Sequence, residues 1–125
     1  MTQDYQPKTL NPTRSAPVRF KGRIIAETKW GTGKFHPDGK ECWMRFRVWE
    51  TRGGAYITEI GGDVPGKSTQ VHCTVGIVEP IYTSMAGERD ETAMQIAVLQ
   101  QFDFHDRAKA VLKRELGWSP YVVVE

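Results

Sequence analysis

The chain has 125 residues, enough for one domain whose core needs no disulfide or structural metal. Charged residues make up 26% and the hydrophobic set 39%, an ordinary soluble balance, and no apolar run approaches membrane-spanning length. The net charge of +2 is uneven: residues 1–60 hold 11 Lys/Arg against 6 Asp/Glu, and residues 61–125 hold 6 against 9. An anionic partner would therefore meet the first half.

Residues 1–17 read as a flexible or partner-binding arm. They carry Pro7, Pro12 and Pro17 with little periodicity, and Lys8 and Arg14 make them mildly basic. The opening residues lack the apolar core of a signal peptide, so a cytoplasmic location is expected. Cys42 and Cys73 are the sole cysteines and set up no disulfide framework; buried thiols are expected.

Residues 18–125 read as a single domain. Residues 18–30 fit a strand, with Val18, Phe20, Ile24 and Ala26 on one face and Arg19, Lys21 and Arg23 on the other. A glycine-rich loop over 31–40 leads to a strand over 41–51. There Cys42, Met44, Phe46 and Val48 alternate with Trp43, Arg45, Arg47 and Trp49. Arg52-Gly53-Gly54 makes a tight turn into a third strand, 55–60, and 69–78 supplies a fourth. Asp90 is a candidate N-cap for an apolar helix, and Asp103 for a second one ending at Gly117. Residues 121–125 fit a short last strand. The order predicts an α+β fold: an antiparallel meander of about four strands with the C-terminal helix or helices packed on one face.

Gly61-Gly62-Asp63-Val64-Pro65-Gly66-Lys67-Ser68 matches the phosphate-binding loop pattern, with Gly66, Lys67 and Ser68 as its phosphate ligands. That chemistry needs a helix directly after the lysine, whose free amides hold phosphate. Thr69 to Val75 is strand-like instead, so a turn between antiparallel strands is the stronger reading. His36, His72, His105 and the two cysteines show no paired metal spacing. No cofactor, metal or specific catalytic signature is expected.

Cations interleaved with large rings suit an acidic protein surface or nucleic acid. The sequence therefore points to a small non-catalytic binding or regulatory module. It would dock through Arg19, Lys21, Arg23, Trp43, Arg45, Arg47 and Trp49 to an acidic protein or a nucleoprotein complex. Direct nucleic-acid binding is the alternative, and a nucleotide-binding enzyme using residues 61–68 a weaker one. The competing structural reading is that the arm or a second subunit covers this face, and the edge strands allow a homodimer.

Overall fold

The computed structural model describes residues 4–35, 37–63, 72–83 and 87–124. Five strands form one antiparallel sheet in chain order: β1 Gln6–Leu10, β2 Val18–Phe35, β3 Glu41–Thr51, β4 Tyr56–Asp63 and β5 His72–Val78. Two helices follow, α1 Glu91–Gln101 and α2 Asp106–Leu116. The α+β architecture expected from the sequence is present, with five strands rather than about four. The extra strand comes from the segment read as an arm: Gln6 to Leu10 pair with Gly22 to Val18.

The long β2–β3 hairpin follows from β-branched and aromatic residues on both arms. It extends beyond the expected loop, because β2 stays paired through Gly31 opposite Trp43 and Phe35 opposite Glu41. The β3–β4 hairpin closes through Thr51 N–H to Ala55 O at 2.9 Å and Gly54 N–H to Thr51 O at 3.0 Å. Gly54 sits at φ +88°, where a Cβ would be strained.

The ends of the sheet meet. Thr13, in the β1–β2 connection, donates its N–H to Cys73 O on β5 at 2.9 Å, and the Cys73 N–H bonds Thr13 Oγ1 at 2.8 Å. A sheet whose first and last strands are tied this way must curl. Its two faces are consequently unlike.

The helices cover the face carrying Ala26, Phe46, Val48, Tyr56 and Val78, against Met94, Val98, Leu99, Phe102, Ala108, Val111 and Leu112. Phe46 lies 4.7 Å from both the Trp30 and Phe102 rings. Phe46 and Val48 are covered as the alternation predicts, while Met44 near the far end is half-buried. Asp90 caps α1, its carboxylate accepting from Ala93 N–H at 3.0 Å. The cap of α2 is His105, whose Nδ1 accepts from Arg107 N–H at 3.1 Å, rather than Asp103. Asp103 and Phe104 adopt φ of 52° and 51° and form the corner between the helices. Gly117, at φ +69°, closes α2 in the left-handed conformation, and Trp118 turns back onto Tyr56 with ring centroids 5.1 Å apart.

The short strand expected over 121–125 is absent over 121–124. Tyr121 to Val124 are unpaired and 72–86% exposed, because the chain leaves the body of the fold after Trp118. The candidate phosphate ligands Gly66, Lys67 and Ser68 lie outside the described residues, as does His36. Among the described residues no helix is long and apolar enough to cross a membrane.

Candidate functional site: a basic and aromatic groove inside the sheet

The face of β3 that carries Trp43, Arg45, Arg47 and Trp49 has no helix on it. It forms the inner side of the curled sheet. Trp49, Ile57, Glu59 and Cys73 lie on this side and are each at least nine-tenths buried without helical cover. The expectation of an outward, solvent-facing surface is thus corrected in part: the curl encloses it.

Register explains how the side chains meet. Arg47 stands between Glu27 on β2 and Glu59 on β4. Its Nε donates to Glu27 Oε2, and its Nη1 donates to Glu59 Oε1 at 3.3 Å. Burial works against the Arg47 charge, but Glu27 and Glu59 outweigh it and hold the guanidinium above its ordinary value. Glu59 also lies 3.9 Å from Cys73 Sγ. Burial first, and then the Glu59 charge, push the Cys73 thiol up, so it stays protonated and is no nucleophile at neutral pH.

Each tryptophan carries a lysine. Lys29 Nζ lies 5.6 Å from the Trp43 ring centroid, and Lys8 Nζ lies 5.7 Å from that of Trp49. Phe20 meets Trp49 edge-on at 5.7 Å. The Trp49 indole N–H is buried with no hydrogen-bond partner among the described residues. A groove of about 670 Å³ opens beside it, lined by Asp4, Gln6, Lys8, Glu27, Arg47 and Trp49 among others.

Arg19 and Lys21 do not join this groove face as the plain alternation of 18–30 implies, and Arg23 borders the groove although its register is that of the helix side. Ile24 pairs with Trp49, yet Ala26 pairs with Val48, so Ile25 is an extra residue in β2. This β-bulge inverts the inside–outside phase of everything before it. Phe20, Gly22 and Ile24 therefore share the face of Trp49. Arg19, Lys21 and Arg23 fall on the helix side, beyond where α2 stacks on Trp30 through His105 and Arg107. There Arg23 pairs with Glu50 at 3.0 Å and lies 5.0 Å from the Tyr5 ring centroid, while the Tyr5 hydroxyl donates to the same carboxylate.

The structure thus places Trp43, Arg45, Arg47 and Trp49 on one face, separates Arg19 and Lys21 from them, and leaves Arg23 bordering the groove beside Arg47 and Trp49. Lys8 lines the groove and Phe20 packs against its Trp49, and neither was singled out by the sequence. Lys8 sits in a proline-rich stretch that carries no strand signal, and Phe20 was placed on the wrong face by the unseen bulge. The assembled groups are cations, carboxylates already held by them, and rings. These recognise charge and flat surface. Among the described residues no set of His, Cys, Asp and Glu is placed to hold a metal ion. No protein-family model, no curated protein and no solved structure matches the chain.

Proposed function

We propose that this protein is a non-catalytic binding module that docks an acidic protein surface, alone or within a nucleoprotein complex, along the inner groove of its sheet. The observation that carries this reading is the groove of about 670 Å³ on the face without helices, where Lys8, Arg23 and Arg47 stand with Glu27 beside Trp49.

The charge pattern favours a protein over a uniform polyanion. Asp4 and Glu27 line the groove together with Lys8 and Arg47. A phosphate chain would meet those carboxylates repulsively. A folded surface of mixed charge can match them one by one. Rings beside cations are also the residue types that concentrate binding energy in protein interfaces.

The test is a titration of tryptophan fluorescence with acidic peptides of mixed sequence and with a polyglutamate chain. Binding should perturb the emission, and Lys8→Ala or Lys8→Glu should weaken it about tenfold, as hot-spot truncations do. Emission and affinity indifferent to both substitutions would place the partner elsewhere.

A further inference from the structure

The bulge at Ile25 builds a second charged surface that the groove does not use. On the helix side of β2, Arg19 and Lys21 are exposed and stand opposite Thr9 and Pro7 of β1, neither of which is charged. The β3–β4 turn brings a third cation alongside: Arg52 N–H donates to Lys21 O at 2.8 Å, and the Arg52 side chain is exposed. None of these three side chains forms an ion pair, hydrogen bond or ring contact with the described residues. The acid that β3 places on this face, Glu50, is already held by Arg23 and the Tyr5 hydroxyl. Glu79 and Arg19 border a depression lined by Phe20, Ile57 and Ile77, residues of the Trp49 side, and they do not pair there.

We infer that Arg19, Lys21 and Arg52 form a phosphate-contacting strip for single-stranded nucleic acid, with the adjoining Tyr5–Arg23 stack as a platform for a base. Three unopposed cations on one short stretch make a surface of one sign. That suits a chain of repeating phosphates, whereas the groove, with its interspersed carboxylates, does not. A ring packed with a guanidinium plane gives a base something flat to stack on. A duplex would leave that platform unused, because its bases are already stacked. The strip lies on the opposite face from Trp49, so one molecule could hold a protein partner and a nucleic-acid strand together. This inference stands independently of the groove reading.

Fluorescence anisotropy with a labelled single-stranded oligonucleotide tests it in the full-length protein. Across roughly 50 to 200 mM salt, log K should fall against log salt with a slope of about −2, the value for three neutralised phosphates on a single strand. Arg19→Ala/Lys21→Ala/Arg52→Ala should bring the slope close to zero, and Lys21→Gln alone should reduce it by about 0.7. All three sites are exposed, and a circular dichroism spectrum matching the wild type certifies the fold. Lys8→Ala, which removes a cation of the groove, should leave oligonucleotide binding unchanged. Three results would overturn the inference: no binding at the lowest salt, unchanged binding by the single and triple variants, or polyglutamate displacing the strand at equal charge concentration. The last would reassign the strip to an acidic protein.

Discussion

Arg47 and Glu59 stand directly opposite each other on β3 and β4, joined at 3.3 Å on the inner side of the sheet, and only 3% of Glu59 reaches solvent. Removing Arg47 would leave Glu59 buried without the cation it bonds to. Arg47→Met should therefore destabilise the fold by about 2–3 kcal/mol, somewhat below a fully buried pair because 27% of the Arg47 side chain is exposed. Adding Glu59→Leu should recover most of that loss, since an apolar pair of similar size carries no desolvation cost. Urea unfolding of both variants checks the pair. A double variant no more stable than the single one would show that Glu59 has another source of stabilisation.

The bulge makes a sharper prediction about backbone than any side chain does. Deleting Ile25 would restore simple alternation through β2. It would leave Ile24 opposite Trp49 and Arg23 opposite Glu50, so every residue before it keeps its face and its partner. Ile25→Ala keeps the phase and removes only a partly buried side chain that packs against the core. The deletion should therefore stay within about 2 kcal/mol of Ile25→Ala, because neither change moves a residue of β2 to the other face. Denaturant midpoints of the two variants decide this, and a deletion far less stable than Ile25→Ala would mean that the bulge supplies more than the phase of β2.

The same bulge marks how far the sequence could be read. Residues 42–49 alternate without interruption, so β3 and the membership of its two faces were legible from period alone. The helices were legible because Asp90 and Gly117 are strong start and stop signals for a backbone that must satisfy its end groups. The extra residue at Ile25 leaves no mark, since Ile24-Ile25 suits a regular strand equally well. β1 was invisible for another reason. Gln6 to Leu10 has no apolar alternation, and it is a strand because the β2 edge offers it partners. The curl depends on Thr13 meeting Cys73, 60 residues away, a contact no local pattern encodes. Without the curl, the Trp43–Trp49 face looked open when much of it is enclosed.

Apolar residues divide into two groups with opposite expectations. Val98 and Leu112 are 0% and 1% exposed against the covered face of the sheet. Leu112→Ala should cost about 2–5 kcal/mol, the range for a large-to-small change that leaves a cavity. Val123 is 75% exposed on the segment beyond Trp118. Val123→Ala should change stability by less than about 0.5 kcal/mol. Thermal or urea unfolding reads both, and a large effect at Val123 would reveal a contact in solution that this fold does not contain.

Cys73 gives the inner face a chemical and a pH signature. Its thiol is 5% exposed and is held above the ordinary value of 9.0 by burial and by Glu59, whereas Cys42 is half-buried on the other face of β3. A thiol-specific reagent at neutral pH should therefore label Cys42 first and Cys73 at a rate limited by opening of the sheet. On unfolding, the Cys73 thiol ionises at its ordinary value while the native thiol stays protonated. Above about pH 9 the unfolded chain thus binds fewer protons than the folded one, and stability falls as pH rises toward the native value. Below that window the contribution is fully present. Tyr5, raised by its hydrogen bond to Glu50, and Tyr56, raised by burial and Glu91, steepen the loss at higher pH still. Cys73→Ala should flatten the first part of the alkaline decline in unfolding free energy and leave the tyrosine part intact. An unchanged profile, or Cys73 labelled as fast as Cys42, would mean that the inner face is open to solvent.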